Sequence, residues 1–581
     1  MTLADSSSGL TSNASGGLTT LDAVVLAAYL AAMLAMGFRI ARKNSSTEDF
    51  FVGGRDLPAW AVGISLIASL LSTITYLGMP SEMFRTGIGF LTRQLGIPIV
   101  LLITWFLWIP FFMRLRLTSA YEYLERRFDY STRVIAASFC ICLLLGWMAV
   151  VVLTASGAMV EIANLQLDWF FSTDSSDADM HAVILGIGLF SVLYTTLGGL
   201  RAVVWTDVVQ FFVLLFGAFF TMGVIAWKTE SGLGDWLTFS KGYTFEKVEW
   251  FSWDVTNRST VFSISIGMLF WHACTHGSNQ VALQRYFSVK DVSAARRSFL
   301  VNALSSIGLG ILLAGVGLAL MYFVLNDGFV SGDMLETQEE LQSTNIDVRT
   351  MAQKRIFPQF IRLYLPSGMR GLVIAALFAA AMSTIDSGAN SISTIVTVDF
   401  LRPNRKQKFT PQGELRLARV LTASMGLVIV AVTIWLHHLS KETNIIDLCQ
   451  RGFNCFLGPL GGLFVLGMFS RRATAGTVIP AVLLGEAVGI GGSYSKDLFG
   501  VQFSTHLVVP ASWLATVVVS LCLSLFVWCI DYVASAVPWS RRGIGLVKRM
   551  LPTFLATPGN SKSLRWMWKP VVSGETTPPE K

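Results

Sequence analysis

Apolar residues come in long runs along this chain, near 21–38, 57–79, 88–113, 134–160, 182–200, 204–227, 261–282, 299–325, 370–398, 417–436, 453–470, 474–492 and 508–530. As helices, runs of this length cross about 30 Å of hydrocarbon. The pattern predicts an all-α polytopic membrane protein of thirteen spans. Lys and Arg follow the odd-numbered runs, as at Arg39 to Lys43, Arg114 to Arg133, Arg285 to Arg297, Arg402 to Arg419, and Arg471 with Arg472. The alternate segment 162–180 has Asp168, Asp174, Asp177 and Asp179 without a basic residue, and 327–347 is mostly acidic. Because basic residues accumulate in cytoplasmic loops, the N-terminus is expected outside and the C-terminus in the cytoplasm. The short link at Arg201 is the weakest point of that assignment.

The chain then divides into an external tail (1–20), an extra first helix with its cytoplasmic loop (21–56), a helical block (57–227), an external loop (228–260), a second block (261–470), two C-terminal helices (471–530) and a basic cytoplasmic tail (531–581). Composition agrees: 53% of residues are hydrophobic and 14% charged, where a soluble surface needs about a quarter charged. Soluble enzymes and nucleic-acid binders are excluded, and the net charge of +7 reflects topology. Membrane lipid is the expected surrounding, and nothing in the chain calls for an obligate protein partner. The seven cysteines lack metal-ligand spacing and read as packing residues. Met1 to Thr20 has no basic n-region, so the first apolar run is expected to stay in the mature protein.

Polar atoms inside a bilayer are costly, so their clusters mark function. Span two carries Ser65, Ser69, Ser72, Thr73 and Thr75, followed by Gly78 and Pro80. That string suits a broken helix whose freed carbonyls coordinate a cation, or hydroxyls bonding back to their own helix. Span seven carries His272, His276, Ser278, Asn279 and Gln280, a second candidate break five spans later. No carboxylate stands near its histidines at metalloprotease spacing, which disfavours a zinc site. Corresponding breaks in two five-helix halves point to an inverted-repeat transporter. In span nine, Ser383, Ser387, Asn390, Ser391 and Thr394 draw a polar stripe, with Asp386 beside it. Hard oxygen ligands without soft ones suit an alkali cation. Asp207 in span six either pairs with Arg201 or meets Asp386 to complete a cation site. Gln94, beside Arg93, and Glu486 are further buried polar positions.

The strings Phe51 to Arg55, Gly78 to Arg85, Leu117 to Phe128, Gly198 to Asp207, Asn279 to Tyr286 and the Ser383-Thr384 helix together resemble the sodium:solute symporter family over roughly residues 20–470. The resemblance implies a LeuT-like core of two inverted five-helix repeats with one N-terminal and two C-terminal extra helices. It implies Na+ as the coupling ion, bound by carbonyls of Ala68, Leu71 and Ala380 and hydroxyls of Ser383 and Thr384. An additional sodium site in some members corresponds to Asp207, Ser383, Asp386 and Ser387, although most have a hydroxyl where this chain has Asp386. Substrate positions correspond to Ser72, Thr75, Phe90, Gln94 and Asn279, and His276 lines the same expected cavity. Span four has no arginine to clamp a carboxylate, which argues against sialic acid; the Gly-x-Pro-Ser-Glu-x-x-Arg string is more similar to the iodide, monocarboxylate and vitamin branch. The expected function is sodium-coupled symport of a small solute, a sugar, carboxylate or other small anion, across the plasma (cell inner) membrane, and not an enzyme activity. The alternative is a proton-coupled or uncoupled carrier of the same fold, with the proton on Asp386 or Asp207.

Overall fold

The computed structural model describes residues 18–536, apart from 43–45, 165–174, 244–247, 258–259, 327–328, 331–332, 344, 404–409 and 440–444. The basic tail expected at 531–581 therefore lies largely outside the described residues, as does most of the external tail at 1–20. The described residues are helical, with one isolated bridge between Glu249 and Thr260.

In chain order the helices are α1 (Thr20–Ala41), α2 (Thr47–Val52), α3 (Ala59–Leu70) and α4 (Thr73–Thr86), then, after a 3-10 stretch at Gly87–Gly96, α5 (Ile97–Ile103), α6 (Ile109–Leu115), α7 (Glu122–Arg127), α8 (Tyr130–Ala163), α9 (Ser175–Thr229) and α10 (Leu233–Ser240). The second block holds α11 (Val261–Ser278), α12 (Gln280–Phe287), α13 (Val292–Leu325), α14 (Asp333–Leu341), α15 (Ile346–Tyr364), α16 (Met369–Ile395), α17 (Pro411–Leu439) and α18 (Ile445–Phe469). It is followed by α19 (Ala475–Ser493), α20 (Ser495–Phe499) and α21 (Val508–Ala536).

Every predicted apolar run lies on a helix, but runs and helices do not correspond one to one. Among the described residues nine helices are long and apolar enough by themselves to cross a membrane, or ten if the bent pair Thr47–Arg55 and Ala59–Leu70 is one span. The difference from thirteen arises where runs merge or break, and at 453–470, where Cys455–Phe469 is a shorter apolar helix. α9 joins two runs across Gly199, whose φ of 56° lies in the left-handed region. At about 1.5 Å per residue, 55 residues would extend some 80 Å, so α9 acts as two helices hinged at this glycine. A Cβ there would stand 2.6 Å from the carbonyl oxygen of Phe50. Beside the hinge, Arg201 pairs with Asp56 at 2.5 Å and donates to Gly53 O at 2.9 Å, so it does not pair with Asp207.

The two expected interruptions are present. α3 ends at Leu70; Leu71 (φ −86°, ψ 111°) and Ser72 (φ −102°, ψ 169°) are extended before α4 begins, eight residues ahead of Pro80. α11 ends at Ser278, and extended Asn279 (φ −81°, ψ 127°) caps α12 by accepting from Val281 N at 2.9 Å. α16 is the axis of the fold: 89% of its apolar window is buried, against 17% for α1 and for α21. It packs on α9, α8, α1 and α17. Asp22 fixes α1 to it, accepting from Arg370 at 2.7 Å and from Gly368 N and Gly371 N at 2.8 Å each.

Candidate functional site

Breaking a helix leaves the last carbonyls of the first half without their i+4 donors. Here these belong to the end of α3, and α16 meets them. Ser383 Oγ donates to Ala68 O at 3.0 Å and to Ala380 O at 3.2 Å, and Thr384 Oγ1 donates to Ala380 O at 3.1 Å. Leu71, the remaining member of the expected sodium shell, lies three residues beyond Ala68 in the extended link. Hydroxyl and carbonyl oxygens from α3 and α16 thus converge at one buried point.

One turn along, the expected second shell is divided. Asp207 Oδ2 accepts from Ser65 Oγ at 2.5 Å, Ser69 Oγ at 3.1 Å and Arg285 Nη2 at 3.1 Å. The Arg285 guanidinium, wholly buried on α12, also donates to Ser65 Oγ at 2.9 Å, Ser387 Oγ at 2.6 Å, Val281 O at 3.0 Å and Ser69 Oγ. Ser387 therefore stands with Asp207, as the sequence suggested, but Asp386 does not. Asp386 faces α9, where it accepts from Ser191 Oγ and Thr195 Oγ1 at 2.5 Å each and from Tyr194 OH. The rest of the polar stripe closes on α12: Gln284 Nε2 donates to Asn390 Oδ1 at 2.8 Å and Thr394 Oγ1 at 3.1 Å, and Ser391 Oγ donates to Gln284 Oε1 at 2.9 Å.

Beside the α3 break lies a cavity of about 570 Å³. Thr75, Phe90, Gln94 and His276 line it, together with Leu71. Ser72 is fully buried and is not among its lining residues. Asn279 lines a separate space of about 20 Å³ with Ser69, Thr384 and Ser387. Leu70, Trp147 and Trp271 border both spaces and connect the cavity wall to the oxygen cluster. His276 Nδ1 is 2.9 Å from Tyr286 OH, and its ring packs on Phe299.

The charge of this cavity comes from residues outside the expected substrate positions, and none of those positions is Lys, Arg, Asp or Glu. Arg85, Arg93, Lys354 and Lys496 line it against Glu82 and Glu161. Arg93 lies 4.9 Å over the Phe90 ring, a cation held by an aromatic face. Its position beside Gln94 was the available signal. Lys354 and Lys496 come from α15 and α20, helices in segments read as loops or loop edges, and carried no signal.

The profile described as the "Sodium:solute symporter family" matches residues 50–485. The sodium/sialic acid symporter SiaT of Proteus mirabilis is 30% identical over 85% of this chain and 94% of its own. The sodium/sialic acid symporter NanT of Aliivibrio fischeri is 32% identical over 82% and 89%. The human sodium/iodide cotransporter is 27% identical over 80% and 68%. A solved Na+-coupled sialic acid symporter in a substrate-bound outward-open state aligns with a TM-score of 0.71 and 27% identity over 87% of this chain and 98% of that one. A nucleobase-cation-symport-1 family transporter, 13% identical with a TM-score of 0.50, shares the fold. These relatives are transporters, not enzymes. With three quarters of its length matched, this multi-pass membrane chain belongs to the sodium:solute symporter family.

Proposed function

We propose that the protein is a plasma (cell inner) membrane symporter that couples sodium entry to uptake of a small anionic organic solute by alternating access. The observation that carries this reading is the meeting of Ala68 O, Ala380 O, Ser383 Oγ and Thr384 Oγ1 beside a basic cavity. In it, sodium is held by those four oxygens and Leu71 O, tying the α3 end to α16 and setting the wall of the cavity. Hard, uncharged oxygens around a buried point match an alkali cation. Breaks at Leu71–Ser72 and at Asn279 stand at matching places in residues 57–227 and 261–470, which supports a LeuT-like inverted repeat of thirteen spans in all.

The solute occupies the 570 Å³ cavity, with Thr75, Gln94 and His276 as polar contacts and Arg93 as the charge that selects an anion. Relatives named for sialic acid, iodide and monocarboxylates agree with this sign, whereas one named for glucose, 29% identical over 81% of this chain, carries a neutral sugar. Arg93 takes the place of the arginine that span four lacks. The helices at 346–364 and 495–499 that bring Lys354 and Lys496 to the cavity follow even-numbered spans, the side that alternation of the spans assigns outside, so in this reading the cavity faces outward and the Gln284 contacts with Asn390, Ser391 and Thr394 close the opposite route. A monovalent anion carried with one sodium moves no net charge, so the membrane potential adds nothing and a tenfold sodium gradient, about 1.4 kcal/mol, supports about tenfold accumulation.

A thermal-shift screen of carboxylates, sugars, amino acids and iodide, with and without sodium, tests the reading. Stabilisation by an anion only when sodium is present is the expected result. Equal stabilisation in choline would remove the coupling, and stabilisation by neutral sugars alone would remove the role given to Arg93.

A further inference from the structure

Of the six histidines in the chain, His272, His276 and His506 line the solute cavity, and sodium-coupled uptake makes no use of the other three. Those three, His181 on α9 and His437 and His438 on α17, gather at one place. Their ring centroids stand 5.6 Å apart for His181 and His437, 5.2 Å for His181 and His438, and 5.7 Å for His437 and His438.

The backbone sets this arrangement. α9 and α17 approach closely and run antiparallel: a Cβ at Gly188 would stand 2.1 Å from Val430, and one at Gly426 would stand 2.1 Å from Val192. Seven residues back from Gly188 and seven onward from Val430, the same register reaches His181 opposite His437, and His438 follows. His181 and His437 are half-buried and His438 is exposed, at the helix ends that the loop charges assign to the outside, so an ion in solution reaches them.

Imidazoles gain little from one another, because protonated rings repel and neutral ones bury a modest area. A shared metal ion reverses that balance. Three imidazoles on one tetrahedral ion, each bound at about 2.0–2.1 Å, place their ring centroids about 5 Å apart, close to the spacing here. His437 Nε2 donates to Asp177 Oδ1 at 3.2 Å, a contact that fixes the tautomer and leaves Nδ1 as the coordinating nitrogen. Among the described residues no three such side chains already point at one centre, so binding requires the rings to turn about their side-chain bonds. The spacing between the rings is already in place.

We propose that His181, His437 and His438 bind a divalent transition-metal ion of the zinc class at the outer ends of α9 and α17, with Asp177 orienting His437 and water completing the shell. Nitrogen ligands favour such an ion over Mg2+ and Ca2+, which take oxygen. The ion ties α17 to the part of α9 before the Gly199 hinge, the part whose Ser191 and Thr195 hold Asp386 of α16. The site depends on this helix packing and stands whether or not sodium drives uptake.

Equilibrium dialysis of radioactive Zn2+ against the detergent-purified full chain, carrying an affinity tag without histidine, counts the bound ions. Thermal unfolding with and without Zn2+ reads the tie between the helices. One Zn2+ per chain is expected, with a raised thermal midpoint and no displacement by Mg2+. His181→Gln, and His437→Gln together with His438→Gln, are each expected to weaken binding by about tenfold or more and to abolish the midpoint shift. Asp177→Asn keeps all three rings and is expected to weaken binding by about tenfold, which preserves the test should a histidine variant fail to fold. Absence of bound Zn2+ on the natural chain overturns the proposal. So does Zn2+ held equally tightly by all of these variants, or Zn2+ lost from His272→Gln with His276→Gln but retained by His181→Gln.

Discussion

Replacing Arg285 by methionine keeps most of the side-chain volume and removes the charge, leaving Asp207 with two serine donors and an Oδ1 that already lacks a hydrogen-bond partner. Both members of the pair are 0% exposed, so neither gains solvent when the other is lost. Breaking a buried pair in this way costs about 3–5 kcal/mol, and Asp207→Asn, which strands the guanidinium instead, falls in the same range. Replacing both together leaves neutral groups of similar size, for which about 1 kcal/mol is the expected cost. The double-mutant cycle then yields a coupling well above the 0.5–3 kcal/mol of ordinary contacting neighbours, roughly 5 kcal/mol or more. Denaturant titration of the four purified proteins in mixed micelles, followed by far-UV circular dichroism, measures each term. A cost below about 1 kcal/mol for Arg285→Met, or a double variant that loses the sum of the singles, would refute the account of this pair.

Three further outcomes follow from the same contacts. Gly199→Ala places a Cβ 2.6 Å from Phe50 O at a φ of 56°, so it is expected to lower the thermal midpoint sharply, whereas Gly223→Ala, where a Cβ meets nothing within 4 Å, is not. Gly310→Ala brings a Cβ to 2.1 Å from Gln94 Nε2; the amide must swing away, and solute affinity is expected to fall about fivefold, the worth of one hydrogen bond near 1 kcal/mol, without loss of stability. Arg93→Gln removes a charged donor worth about 1.5–3 kcal/mol, so anion affinity is expected to drop by one to two orders of magnitude while sodium binding persists; competition between anionic solutes and neutral analogues reads the difference.

The positions of the two helix breaks were readable because a run of polar side chains inside an apolar span is too costly to persist without a structural or chemical role. The break in span two falls at Leu71 and Ser72, within the hydroxyl cluster and beside the Ala68 and Leu71 carbonyls that the resemblance implies for it, and Pro80 is accommodated inside α4. The division of the two aspartates was not readable. Ser387 and Asp386 are adjacent in sequence but about 100° apart around α16, so one meets α3 and α12 while the other meets α9. Arg285 is 78 residues from Asp207 and, standing in the Asn279 to Tyr286 string, counts in the sequence only as part of the basic flank of span seven, whereas it is wholly buried. The cavity's cations were equally hidden, because α15 and α20 bring Lys354 and Lys496 to the rim from segments whose apolar pattern gave no span.

The central claim is that oxygens of α3 and α16 bind the ion that drives uptake. It is tested most directly in proteoliposomes, by measuring initial uptake of the solute found in the stabilisation screen against external sodium concentration. Ser383→Ala and Thr384→Ala are each predicted to raise the sodium concentration for half-maximal uptake by about tenfold or more, with solute affinity at saturating sodium much less affected. Sodium activation identical to that of the natural sequence in both variants, or uptake that proceeds equally well in choline, would contradict it.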